Sequence, residues 1–310
     1  MISAQQLSVG FRARRKEHIL FDNLDLHLTP GELVCFMGSN GVGKSTLLKT
    51  LAGLLPPLAG KVNAHNKDVA LVLTDKITAT NMTVYDLVSF GRYPYLDWRI
   101  SLSPSNIEII EDAIRQVHLE SLRNRKLNEL SDGQLQLVMI AKALAQQTPV
   151  ILLDEPTAHL DLNNRVEVMN LLRSLSRKLG KSILVTTHEL DLALQTADLI
   201  WLATANKKIK TGIPEDLVLD GAFDEVFQFK GFDLKTGKIE HEAHRKKEVQ
   251  LLGTGYSFLW TKNALERSGY RVVEKAEIQI TVFGESKTLW KLNGSQFESL
   301  ATLLAAISQE

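Results

Sequence analysis

The sequence predicts an α/β protein: a mostly parallel core sheet covered by helices, antiparallel strands ahead of it, and a small α+β appendage at the C-terminal end. Three observations carry this. Short apolar runs alternate with helical patterns from residue 33 to residue 202. A glycine-rich turn from Gly38 to Thr46 joins one such run to a helical pattern. After about residue 240 the composition changes to a charged stretch, and a new strand-and-helix pattern follows.

The elements follow in order. Residues 7–11 and 19–28 read as antiparallel strands, and Pro30 and Gly31 as the turn into a strand at 33–37. The helix after the glycine turn is expected over 46–54, ended by Pro56, Pro57 and Gly60. A strand at 69–73 precedes a helix at 83–91, capped by Thr80 or Asn81. A second helix at 106–116 carries Ile107, Ile110, Ala113 and Ile114 on one side. Ser131 opens a helix reaching about Ala145. The run 150–153, between Pro149 and Asp154, is continuously apolar, as a strand covered on both faces must be. Helix 165–179, strand 182–186, helix 190–197 and strand 199–202 complete the alternation.

Residues 240–248 read as a linker or exposed turn. Beyond them come strands at 248–252, 270–273, 278–283 and 288–292, expected to be antiparallel, and helices at 256–268 and 297–307. Tyr256, Phe258, Trp260 and Trp290 read either as a binding face or, as is more usual for such residues, as the core of this small unit. The expected domains are 1–240, with a helical subdomain at about 75–145, and 241–310.

Composition narrows the function. Of 310 residues, 36 basic and 36 acidic side chains cancel, which gives no charge-driven attraction to nucleic acid. The single cysteine, Cys35, excludes a disulfide within the chain and fits a reducing compartment. No apolar run reaches the roughly 18 residues that span a bilayer, and no secretory leader is visible, so membrane association must pass through a partner.

The chemistry begins at Gly38, Ser39, Asn40, Gly41, Val42, Gly43, Lys44, Ser45 and Thr46, which fit G-x-x-x-x-G-K-S/T. A strand, a glycine turn and a helix start let backbone N–H groups converge on phosphate oxygens. Lys44 reaches the β- and γ-phosphates, and Ser45 supplies an oxygen for Mg²⁺. Asp154 ends a buried strand and would hold Mg²⁺ directly or through water. Glu155 is placed to polarise an attacking water, and His188, after the strand 182–186, to position it. Ser131 or Asp132 caps the helix that follows, and the Ser131 hydroxyl with the Gly133 N–H makes a second place for phosphate. A spare phosphate site predicts a homodimer with nucleotide between its copies. No Cys/His cluster has zinc spacing.

Taken in series, these segments resemble the ATPase subunit of an ABC transporter, a P-loop NTPase cassette. Residues 38–46 match its Walker A, 130–134 its signature, 150–155 its Walker B, 158–161 its D-loop and His188 its switch histidine. The resemblance implies that Phe11 stacks on adenine, that Asp161 couples two sites, and that ATP and Mg²⁺ are the ligands. Residues 83–95, with Gly91, Arg92, Tyr93 and Pro94, look like importers of iron–siderophore complexes, heme and cobalamin. That family implies two ATPases beneath an integral membrane permease dimer, at the cytoplasmic face of the plasma membrane, fed by a substrate-binding protein. Three positions depart from its pattern: Thr74 stands where a metal-contacting Gln is usual, Asp132 where Gly is usual, and Leu135 where a basic residue is usual.

Overall fold

The structure is a computed structural model. It describes residues 2–13, 16–63, 68–74, 81–96, 101–229, 232–234, 238–239, 245, 247–284 and 288–309. The chain forms two compact units, Met1–Gln228 and Phe229–Glu310. The expected boundary after residue 240 lies outside the described residues, as does most of the expected linker.

The first unit opens with a hairpin of β1 (Ile2–Ala13) and β2 (Lys16–Leu28). Alternation buries Leu24, Leu26 and Leu28 and exposes Asp25 and His27, the period-2 pattern of a half-buried strand. β3 (Leu33–Met37) is buried at every residue and feeds the glycine turn and α1 (Lys44–Leu51). The helix thus starts two residues before its expected start and ends before Pro56. The chain then returns to the hairpin as β4 (Ala59–Asn63), antiparallel to β1, giving the order β2-β1-β4. Gly60 lies inside that strand. Its short, mostly exposed run of Ala, Gly, Lys, Val and Asn carries no period-2 apolar signal, so the sequence pattern missed it.

The core sheet begins with β5 (Val69–Val72). A helical layer follows: α2 (Val84–Ser89), a 3₁₀ segment over Phe90–Tyr95, α3 (Pro104–Gln116) and α4 (Asp132–Ala145). The cap of α2 is Thr83, not Thr80 or Asn81. Its hydroxyl accepts from the Asp86 N–H, while the Asp86 carboxylate accepts from the Thr83 N–H. Next come β6 (Val150–Asp154), α5 (Leu162–Leu179), β7 (Ser182–Thr186), α6 (Leu190–Thr196), β8 (Leu199–Ala203), β9 (Ile209–Gly212), α7 (Pro214–Leu219) and α8 (Ala222–Phe227).

The core sheet has the order β5-β6-β7-β3-β8-β9, parallel except for β9. Because β7 lies between β6 and β3, the turns that leave these three strands emerge side by side. Asp154 pairs with Thr186, and Thr186 with Phe36. Phe21 of the hairpin meets Phe36 at 5.8 Å between ring centroids, and Phe36 meets Trp201 at 6.4 Å. All three rings are buried, each contributing about 2–3 kcal/mol of apolar burial that binds hairpin to sheet.

The second unit contains the short pair β10 (Phe232–Asp233) and β11 (Lys238–Ile239), then β12 (Glu248–Leu252), α9 (Gly255–Arg267), β13 (Arg271–Val273), β14 (Ile278–Phe283), β15 (Leu289–Leu292), β16 (Ser295–Phe297) and α10 (Leu300–Gln309). Its five-stranded sheet runs β13-β12-β14-β15-β16. The antiparallel expectation is corrected here: β12 is parallel to both β13 and β14, and only β14, β15 and β16 alternate. The helix α9 supplies the crossover that parallel pairing requires. Trp290 is buried and donates to the Thr261 hydroxyl at 2.7 Å, as a buried indole must. Tyr256 and Trp260 are 85% and 66% exposed, so they are not the core residues the sequence suggested.

Candidate active site

The glycine turn leaves β3 and ends in α1, whose N-cap is Gly43. Its φ of +109° belongs to glycine, and an added Cβ would lie 2.8 Å from Leu20 Cδ1. With no side chain at the cap, the first N–H groups of α1 stay open toward an anion. The loop closes on itself through Val42 N–H to Ser39 O at 3.3 Å. Lys44 is buried and folds back to donate to Gly38 O at 2.9 Å and Ser39 O at 3.3 Å. Burial lowers its pKa, while the charges of Glu155 and Asp154 pull it upward. Ser45 is exposed at the helix start, with Asn40 and Gly41 in the rim of the loop.

The two acids stand at the end of β6. Asp154 is buried, and its Oδ1 accepts the Thr186 hydroxyl at 2.7 Å. Glu155 adopts a left-handed φ of +46°, a conformation that costs energy for a residue with a Cβ. Two bonds to Thr186 hold it there, since its N–H donates to Thr186 O at 3.1 Å and to Thr186 Oγ1 at 2.9 Å. The Thr74 hydroxyl donates to Asp154 O at 2.9 Å, fixing the same turn from β5. His188 Nδ1 lies 3.8 Å from Glu155 Oε1, which brings an imidazole beside the candidate base. The structure therefore gathers Lys44, Thr74, Asp154, Glu155 and His188 around neighbouring strand ends.

Phe11 is 52% exposed on the hairpin, with its ring 4.9 Å from that of His18, its cross-strand partner. His18 belongs to no motif of the sequence. Pairing across β1 and β2 makes it part of the aromatic surface that Phe11 offers.

Ser131 caps α4, with its hydroxyl accepting from Gln134 N–H at 3.2 Å, and the Gln134 side chain accepting from Ser131 N–H at 3.1 Å. Gly133 is buried so closely against α5 that a Cβ would lie 2.8 Å from Asn164 Cγ. Asp161 holds that same Asn164: Oδ1 accepts its backbone N–H at 2.9 Å and Oδ2 its side-chain amide at 3.0 Å. Among the described residues no hydrogen bond or ion pair joins Ser131, Gly133 or Asp161 to the Lys44–Glu155 cluster. Asp132 is among the residues that line a cleft, with Thr74, Glu155 and His159.

Thr186, which bonds to both candidate acids, is the residue of this cluster that sequence reasoning missed. Its signal was weak: one hydroxyl closing an otherwise apolar run, just before Thr187 and His188.

Residues 21–158 match the family profile described as ABC transporter. Residues 245–308 match that of the iron ABC transporter C-terminal domain, so the appendage, for which sequence patterns offered no relative, has one. The achromobactin transport ATP-binding protein of Dickeya dadantii is 38% identical over 238 residues, covering 73% of this chain and 87% of that protein. The iron(3+)-hydroxamate import ATP-binding protein of Bacillus subtilis is 31% identical over 239 residues, with 73% and 87% covered. Among solved structures, an inward-facing ABC transporter described as of metal-chelate type superposes with a TM-score of 0.67 at 28% identity, over 73% of this chain and 88% of that one. A dimeric bacterial ABC transporter cassette superposes with a TM-score of 0.58 at 26% identity, over 69% of this chain and 99% of that one. The chain belongs to the ABC transporter family: it is an ATP-binding, ATP-hydrolysing cassette subunit related to the ATPases of iron–siderophore import.

Proposed function

We propose that this chain energises import of an iron(III)–siderophore complex, with heme and cobalamin as the other metal chelates in the same class. The observation that carries this reading is the match of residues 245–308 to a C-terminal domain defined among iron ABC transporters. The related proteins named for achromobactin and iron(3+)-hydroxamate support it. Two copies work together beneath a membrane permease dimer, on the cytoplasmic face of the membrane, served by a substrate-binding protein. The dimeric form of a related cassette supports the pairing. Among the described residues no helix is long and apolar enough to cross a membrane, so the permease supplies the anchor in this reading.

In each site the loop N–H groups and Lys44 hold the β- and γ-phosphates of ATP, and Phe11 stacks on the base. Ser45, Asp154 and Thr74 are hard oxygen donors of the kind Mg²⁺ takes. Among the described residues no three His, Cys, Asp or Glu side chains converge to hold a metal unaided, so triphosphate oxygens must complete such a site. When bound, the ion neutralises charge on the phosphates. Glu155 accepts a proton from the attacking water, and His188 orients that water. Ser131 and Gly133 of one copy face the γ-phosphate held by the other, and dimer closure excludes bulk water from both sites. Asp161 then links the two. Hydrolysis drives transport because the closed dimer favours one permease conformation over the other.

Uptake in cells lacking this chain tests the substrate. Ferric siderophore uptake is expected to vanish, and to return with the wild-type chain but not with Glu155→Gln. Loss of heme or cobalamin uptake, with ferric siderophore uptake intact, would move the chain to another substrate.

A further inference from the structure

We infer that Arg165 is a positioning residue that ties the segment ending at Asp161 to the segment carrying His188. This rests on the roles proposed above for Asp161 and His188. Arg165 lies in the first turn of α5, where a cation is disfavoured by the helix dipole, so its charge is not there to stabilise that helix. Its Nε instead donates backward to Leu160 O at 2.6 Å, fixing the carbonyl just before Asp161. Its Nη1 lies 3.4 Å from Glu189 Oε1. Glu189 directly follows His188.

Glu189 has the matching peculiarity. It occupies the N-cap of α6, yet its side chain makes no capping bond there. The carboxylate is turned inward with only 10% of the side chain exposed, and Oε1 has no hydrogen-bond partner. Arg165 is the cation beside it, and a buried carboxylate without such a partner is costly. One guanidinium therefore spans two loops from different strand ends. It joins the backbone before Asp161, which grips Asn164 beside Gly133, to the side-chain carboxylate of the residue after His188, which stands 3.8 Å from Glu155. A shift of either loop must strain or release the other. The planar fork suits this task, since Nε donates to Leu160 O while Nη1 keeps its charge beside the Glu189 carboxylate.

Two readouts on the purified full chain test it. The first is amide hydrogen exchange, which needs no turnover. Glu189→Gln keeps the shape and removes the charge. It is expected to speed exchange about tenfold in residues 158–161, a segment in which Glu189 makes no hydrogen bond or ion pair. Arg165→Ala is expected to speed exchange in both 158–161 and 187–189. The second is steady-state hydrolysis of ATP. Arg165→Ala and Glu189→Gln should each lower kcat about tenfold with KM within threefold, and the double variant should be no slower than Arg165→Ala. Arg165→Lys should not restore kcat, because a single ammonium cannot serve both acceptors. Exchange changes confined to the altered residue's own segment, or single effects that multiply in the double variant, overturn the coupling. Glu155→Gln run in parallel keeps the two readings apart. If it turns over like wild type, the assignment of the base fails, while the exchange experiment still decides the role of Arg165.

Discussion

Thr186 shows how much of the site depends on one small side chain. Its hydroxyl donates to Asp154 and accepts from the N–H of Glu155, so it sets both acids and holds Glu155 in a left-handed conformation. Thr186→Val keeps the β-branched shape and removes both bonds. It should cost about 1–3 kcal/mol in a urea unfolding experiment and lower ATP turnover at least tenfold. Cys35 gives a second expectation at this scale. Burial, with the charge of Asp198 adding to it, pushes its thiol up to about 12 from an ordinary 9. In the unfolded chain the thiol ionises above about 9, while in the folded protein it stays neutral until about 12. Between those limits the unfolded state holds fewer protons, so this group lowers stability as pH rises. Cys35→Val should flatten the alkaline loss of stability. Iodoacetamide at pH 8 should label the wild-type thiol only after unfolding. Lys44, Asp154, Glu155 and His188 were legible in sequence because strand-end position and residue type announce them. The bonds of Thr186 and Thr74 were not, since they join residues that only sheet order brings together.

At the scale of elements, the segment around Arg92 is the clearest case. An arginine in a short surface segment is ordinarily exposed. Instead the arginine is buried, donating to Asn106 Oδ1 at 2.8 Å, Ala145 O at 2.8 Å and Gln147 Oε1 at 3.2 Å. Its guanidinium stacks 4.0 Å from the Tyr95 ring, and the Tyr95 hydroxyl donates to Gln146 O at 2.7 Å. Together they satisfy the last carbonyls of α4, which no intrahelical N–H can reach. Arg92→Ala should therefore cost about 2–3 kcal/mol by thermal or urea unfolding, and Arg92→Lys should recover little of it. The rings of Phe90, Tyr93 and Tyr95 in this segment remain exposed. The buried strands β3, β6 and β7 were legible almost to the residue, because continuous apolar runs between turn signals have few other solutions. β4 and β9 were not, since pairing to a neighbour creates them and their own residues are largely polar or exposed. The second unit failed differently. Strands β12 to β15 were found, while the short β10, β11 and β16 were not; nothing local distinguishes a parallel from an antiparallel neighbour, and the order β13-β12-β14 appears only in the assembled sheet.

For the whole molecule, every residue assigned to nucleotide chemistry, from Phe11 to His188, lies in the first compact unit. The second has its own buried core around Val249, Ile280, Trp290 and Leu303. A chain ending at residue 240 should keep ATP binding and turnover within about threefold, which nucleotide titration and phosphate release would check. The central claim is that two copies share their ATP sites, with Glu155 as the base. The most direct measurement is ATP turnover of wild type and Glu155→Gln, with the mass of each recorded with and without ATP. Wild type should turn over, while Glu155→Gln should be slowed at least a hundredfold and run as an ATP-bound dimer. Wild-type turnover in Glu155→Gln, or a monomer mass for that variant at saturating ATP, would contradict that claim.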